Sequence, residues 1–144
     1  MFKILIVEDE EKIRVELQNL LNRYGYEALT LDDFHEVDQQ ILRIQPHLVL
    51  LDINLPEMDG YMICRSLRQQ SSIPILMVTS RSSDLDELMS MSLGADDFIT
   101  KPYNVQILLA HIQAVLKRAY PQDQGRPFCR IVRYDGRACG TSGK

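Results

Sequence analysis

Short aliphatic runs along this chain alternate with longer stretches in which apolar side chains return every three or four residues, and the alternation occurs five times. Phe2 to Val7, Tyr26 to Leu31, Leu48 to Leu51, Ile75 to Val78 and Asp97 to Ile99 are strand-length. Several are apolar almost without a break, as expected of central strands covered on both faces. Between them, Ile13, Leu17, Leu20, Leu21 and Tyr24 lie on one helical face that stops at Gly25. Val37, Ile41, Leu42 and Ile44 mark a second helix ended by Pro46, and Met62, Ile63 and Leu67 a third that follows Asp59-Gly60. Leu85, Leu88, Met89 and Leu93 mark a fourth closed by Gly94, with Met89 and Met91 read as packing residues. Ile107, Leu108, Ile112, Val115 and Leu116 mark the fifth. This order predicts an α/β protein with a doubly wound, parallel five-stranded sheet and helices on both faces.

Right-handed crossovers in such a sheet leave a crevice beyond the carboxyl ends of the strands. The chemically suggestive residues fall there. Glu8 and Asp9 follow the first strand, Asp52 ends the third, Thr79 ends the fourth and Lys101 follows the fifth. Carboxylates gathered at one sheet edge repel one another unless a cation shares the site. A hard divalent ion is implied, and Mg²⁺ suits one or two carboxylates, several waters and a phosphoryl oxygen. Taken singly, an acidic residue at a strand end is more often a helix cap or a solvated loop residue. Glu10 and Glu11 are read in that way, whereas Glu8, Asp9 and Asp52 together are read as a site.

An aspartate carboxylate can attack phosphorus to form an acyl phosphate when cations neutralise the transferring group. Asp52 is the best placed: an apolar strand delivers it, and Pro56 and Gly60 turn the following chain into a loop. The Thr79 hydroxyl can reach a phosphoryl oxygen, and Lys101 can pair with another.

At 144 residues, 45% hydrophobic and 25% charged, the chain has the length and composition of one globular domain. No apolar run approaches a bilayer span, and the N-terminus turns acidic after Val7, unlike a signal peptide. A cytoplasmic location without membrane attachment is expected. Cys64, Cys129 and Cys139 are odd in number and have no partner at metal-ligand spacing, so reduced thiols are expected. Of the net charge of −4, residues 121–144 carry five basic and two acidic groups, leaving −7 on the first 120 residues. That acidic body repels nucleic-acid phosphates.

The ordered motifs Ile6-Val7-Glu8-Asp9, Asp52 to Gly60, Val78-Thr79-Ser80 and Leu93-Gly94-Ala95-Asp96-Asp97-Phe98-Ile99-Thr100-Lys101-Pro102 resemble the receiver domains of bacterial two-component response regulators. The resemblance covers Met1 to about Ala119. It implies a flavodoxin-like (βα)5 fold and phosphorylation of Asp52 by a sensor histidine kinase. It further implies that Asp9, Asp52 and the backbone carbonyl of Asn54 contact Mg²⁺ directly (Mn²⁺ can substitute), with Glu8 acting through water. Glu8 stands where many members have Asp, and its longer arm shifts that contact. A cis Lys101-Pro102 bond is implied too. Thr79 and Phe98 would be the switch pair, with Phe98 rotating inward once Thr79 is drawn to the phosphoryl group. Asn54 and Arg81 occupy positions that tune dephosphorylation in relatives.

Asp86 to Gly94 and Ala110 to Arg118 resemble the winged-helix class of transcriptional regulators, most closely its bacitracin- and peptide-antibiotic-responsive branch. In that class a homodimer forms on phosphorylation through the fourth helix, fifth strand and fifth helix. Asp96, Asp97, His111, Lys117 and Arg118 are the residues available to that face. His111 and Gln113 stand where many members have Arg, so the ion-pair set is incomplete. DNA would be bound by a C-terminal domain outside this chain.

Residues 120–144 read as a linker and a tail without a core pattern, since four of seven glycines fall after residue 124. A rival reading is a phosphatase with an aspartyl nucleophile and Mg²⁺. Such enzymes place a second Asp two residues after the first as acid and base, whereas Asn54 stands here. A degenerate receiver that only binds a partner is disfavoured by the complete Glu8, Asp9, Asp52, Thr79 and Lys101 set.

Overall fold

The computed structural model describes residues 1–121 except residue 82. Five strands and five helices alternate: β1 (Lys3–Val7), α1 (Glu11–Arg23), β2 (Glu27–Thr30), α2 (Val37–Ile44), β3 (Leu48–Leu51), α3 (Gly60–Gln70), β4 (Ile75–Thr79), α4 (Asp84–Ser92), β5 (Asp97–Thr100) and α5 (Val105–Ala119). The strands form one sheet in the order β2-β1-β3-β4-β5, with every pair parallel. The expected doubly wound architecture is present. The order reverses at β1, so the ends of β1 and β3 flank the switch-point crevice.

Side chains alternate between the two faces of a strand, which splits the apolar runs into two cores. Ile4 and Ile6 face one way with Leu48, Leu50, Leu76 and Val78, covered by Leu17 and Leu21 of α1 and Leu108, Ile112 and Leu116 of α5. Leu5 and Val7 face the other way with Val49, Leu51, Ile75 and Met77, under Val37 and Ile41 of α2 and Ile63 and Leu67 of α3. Continuous hydrophobicity was therefore required of β1, β3 and β4.

Local chemistry starts three of the helices. The Asp59 carboxylate accepts the Met62 amide at 2.9 Å, Ser83 Oγ accepts the Asp86 amide at 3.1 Å, and Asn104 Oδ1 accepts the Gln106 amide at 2.8 Å. α2 is different: Glu36 and Gln45 bound it with left-handed φ values of 48° and 53° and no side-chain cap. Nothing in the sequence marked those two residues, which are neither Gly nor Asn.

The fourth helix forms where expected but presents its apolar residues to solvent, and this corrects the reading of its methionines. Leu85 is 69% exposed and Leu88 63%, while Met89 and Met91 are both 44% exposed and do not pack into the core. Ser90 is the buried residue of α4, and its Oγ is turned back to the Asp86 carbonyl at 3.0 Å. Periodicity identified a helical face without identifying what covers it.

Tyr120, the residue after α5, packs back against the domain. The Tyr120 hydroxyl donates to the His47 carbonyl at 2.8 Å, and its ring lies against Phe2 and His47. The remaining tail, including Cys129 and Cys139, lies outside the described residues. Cys64 is a buried free thiol. Among the described residues no helix is long and apolar enough to cross a membrane.

Candidate functional site

Every site element comes from a strand end or from the loop immediately after it. β1 runs apolar to Val7 and releases Glu8 and Asp9. β3 runs apolar to Leu51 and releases Asp52, whose amide still donates to the Val7 carbonyl at 3.2 Å. Because β1 and β3 are neighbours in register, with Val7 opposite Leu51, the three carboxylates meet. Glu8, Asp9 and Asp52 each offer an oxygen within 4.8 Å of the others.

The site is enclosed. Glu8 is 4% exposed and Asp52 7%, while Asp9 faces solvent. Lys101 reaches across from the end of β5 so that its Nζ donates to Asp52 Oδ2 at 3.1 Å and to Glu8 Oε1 in a closer contact. Glu8 Oε2 also accepts the Glu10 amide at 3.1 Å. Burial is the largest influence on Glu8 and holds its carboxyl above the usual range, although the Lys101 ammonium and the Glu10 amide pull the other way. Burial works against the Lys101 charge, but the Glu8 hydrogen bond and the Asp52 and Glu8 charges outweigh it, so its pKa lies above the ordinary value. The lysine is thus a fixed cation between two carboxylates.

Thr79 is fully buried at the end of β4, and its Oγ1 accepts the Arg81 amide at 3.2 Å. The Lys101 amide donates to the Thr79 carbonyl at 2.8 Å, which ties the last turns of β4 and β5 together. The Lys101-Pro102 peptide is cis. The Asn54 amide lies 3.4 Å from Asp52 Oδ1, which curls the loop after β3 over the carboxylate. That loop closes on Gly60, whose amide donates to the Ile53 carbonyl at 2.7 Å. A Cβ at Gly60 would lie 2.3 Å from the Asp52 carbonyl oxygen, so the backbone passes where only glycine has room.

A second contact went unread in the sequence: Arg14 Nη1 donates to the Glu8 carbonyl at 3.0 Å, fixing the turn that carries Glu8 and Asp9. Arg14 stands in α1 five and six residues after Asp9 and Glu8, a spacing at which arginines are ordinary surface residues.

Phe98 lies inward. It is 9% exposed and belongs to the core with Met77 and Ala95. Of the other residues considered for an interface, Asp96 has its carboxylate turned to the Ile75 amide at 2.8 Å and to Arg68 at 3.2 Å. Asp97 Oδ2 pairs with His111 Nδ1 at 2.5 Å, and Arg118 donates to the Asp96 carbonyl at 3.3 Å. Lys117 is exposed.

A parallel (βα)5 sheet carries an acidic, lysine-bridged crevice at its switch point, and Glu8, Asp9 and Asp52 of that crevice could hold a metal ion. The chain belongs to the response regulator receiver domain family, which it matches over residues 4–113. It is 45% identical to the transcriptional regulatory protein YxdJ of Bacillus subtilis over 94% of its own length. The match spans 59% of that relative, so the chain covers little more than half of the curated protein. Among solved structures, the beryllofluoride-activated N-terminal receiver domain of Klebsiella pneumoniae RstA superposes with a TM-score of 0.76 at 35% identity, covering 80% of this chain and 98% of that one. The N-terminal domain of the nisin resistance regulator NsrR, a lantibiotic response regulator, gives a TM-score of 0.73 at 36% identity, covering 81% of this chain and 98% of that one. That neighbour agrees with the expected peptide-antibiotic branch.

Proposed function

We propose that this domain is a phosphorylation-operated switch in which Asp52 accepts a phosphoryl group from the phosphohistidine of a sensor kinase. The observation that carries the reading is the Asp52 carboxylate inside the Glu8 and Asp9 cluster, with the Lys101 ammonium 3.1 Å away. A carboxylate oxygen of Asp52 attacks phosphorus, the phosphorus–nitrogen bond breaks, and the departing imidazole takes a proton. Lys101 neutralises an oxygen of the transferring group, and the Thr79 hydroxyl donates to another.

The donor set is all oxygen, as Mg²⁺ requires, and Mn²⁺ satisfies the same ligands. Asp9, Asp52 and the Asn54 carbonyl would hold the ion directly, with Glu8 acting through water. Bound there, Mg²⁺ offsets the charge of the carboxylates and of the incoming phosphoryl oxygens.

The domain modifies itself and turns over no external substrate, since Asn54 supplies no second carboxylate for rapid hydrolysis. Residues 1–119 are the receiver, and residues 120–144 a linker and tail. By likeness to the transcriptional relatives, phosphorylation promotes a homodimer through α4, β5 and α5, and a C-terminal domain binds DNA in the cytoplasm. The exposed Leu85 and Leu88 support that choice of face.

Intact-mass measurement after incubation with acetyl phosphate and Mg²⁺ tests the reading. One phosphoryl group is expected on the wild-type chain and none on Asp52→Asn or in the presence of chelator. Equal labelling of the variant overturns the assignment.

A further inference from the structure

A polar cluster outside the phosphoacceptor crevice joins α3 to α4. The Tyr61 hydroxyl donates to Asp86 Oδ1 at 2.6 Å, and Arg81 Nη2 reaches the same oxygen at 3.0 Å. Ser83 Oγ donates to Asp86 Oδ2 at 2.7 Å. The Arg81 guanidinium also lies over the Tyr61 ring, 5.3 Å from its centre. One carboxylate therefore gathers a tyrosine of α3, an arginine of the β4–α4 loop and the N-cap of α4. Burial, and then the hydrogen bond to Asp86, hold the Tyr61 proton on to about 12.

The two ends of this cluster differ in how firmly they are anchored. Tyr61 follows Gly60, whose backbone is packed against Asp52 and Ile53 at distances that leave no room for a Cβ. α4 has little apolar anchorage, since Leu85, Leu88, Met89 and Met91 face solvent. Its position is therefore set largely by polar contacts at its first turn, and elements held in this way open at low free energy. Arg81 links the cluster to the crevice, because its amide is the group that Thr79 Oγ1 accepts at 3.2 Å.

We infer that Tyr61, Asp86 and Arg81 form a latch that restrains the β4–α4 loop and α4 in the unmodified protein, so that activation must work against it. The inference rests on the phosphoacceptor reading of Asp52. For the Thr79 hydroxyl to turn to a phosphoryl oxygen, the loop carrying the Arg81 amide has to follow, and the Asp86 contacts hold that loop to α3. A charge-assisted hydrogen bond is strong enough to bias such an equilibrium several-fold. Asp86 is on this reading a positioning residue, with no contact to the reacting atoms.

The test uses the full chain with Tyr61→Phe and, as a second variant, Asp86→Asn, both confirmed as folded by thermal melting. Amide hydrogen exchange over residues 84–92 is measured without phosphodonor, and the rate of phosphorylation by acetyl phosphate with Mg²⁺ is measured separately. The latch predicts exchange of α4 about fivefold faster or more, and phosphorylation about threefold faster or more, in both variants. Unchanged exchange in both variants overturns it. So does faster exchange with unchanged or slower phosphorylation, because α4 would then be tethered without restraining the site. If the wild-type chain takes no phosphoryl group, the Asp52 reading fails instead, and the exchange measurement still decides whether the tether exists.

Discussion

Lys101 and Asp52 are 49 residues apart in the chain and 3.1 Å apart in the fold. The contact exists because β5 and β3 end on the same edge of the sheet with β4 between them. The ammonium also meets Glu8, so one cation serves two enclosed carboxylates.

Lys101→Ala should therefore destabilise the metal-free protein by about 2 kcal/mol or more, since it leaves two buried carboxylates without their partner. Mg²⁺ should restore part of that loss by substituting for the missing charge. Denaturant unfolding with and without Mg²⁺ checks both statements, and an Mg²⁺-independent change of under about 0.5 kcal/mol would show that Lys101 is a surface cation.

Gly60→Ala should be among the most disruptive small substitutions in the domain. The added methyl would sit 2.3 Å from the Asp52 carbonyl oxygen and 2.7 Å from Ile53 Cα, both backbone atoms. Overpacking of this kind costs about 1 to 3 kcal/mol, and the upper end is expected because neither neighbour can rotate away. A chemical denaturation midpoint measures the loss, and phosphorylation should slow with it, since the strain falls on the residue that accepts the group.

Burial raises the Cys64 thiol to about 11 from an ordinary value near 9.0. The folded form thus keeps its proton where the unfolded chain loses it. This contribution to stability is complete below about pH 9 and declines as pH rises toward 11. Wild type should consequently lose more stability than Cys64→Ala over that interval. Parallel unfolding curves at pH 8 and pH 10.5 would reveal the difference, and identical slopes for the two proteins would contradict it.

Leu88 is 63% exposed, so Leu88→Asp should change stability by no more than about 0.5 kcal/mol. If phosphorylation drives dimerisation through the α4 face, beryllofluoride and Mg²⁺ should raise the mass of the wild-type chain in sedimentation, and the same substitution should abolish that increase. Phe98→Ala is a less selective probe. Its ring already lies in the core, and truncation should cost about 3 kcal/mol whatever its part in signalling.

The sequence by itself determined the order of elements, the parallel sheet and the gathering of Glu8, Asp9, Asp52, Thr79 and Lys101 at one edge. Strand runs such as Leu48–Leu51 are too uniformly apolar for a surface strand, and a parallel sheet brings all its strand ends to a common crevice. Tertiary structure alone decided three matters. Leu85 and Leu88 share a helical face with the spacing of a core stripe, yet spacing records which residues point together and not what covers them. The inward seat of Phe98 depends on the space beside Met77 and Ala95, which no local pattern encodes. The union of Tyr61, Arg81 and Asp86 joins residues separated by up to 25 positions through the angle between α3 and α4. How the start of α4 lies against α3 is written in no local pattern, so these contacts became legible only once the chain had folded.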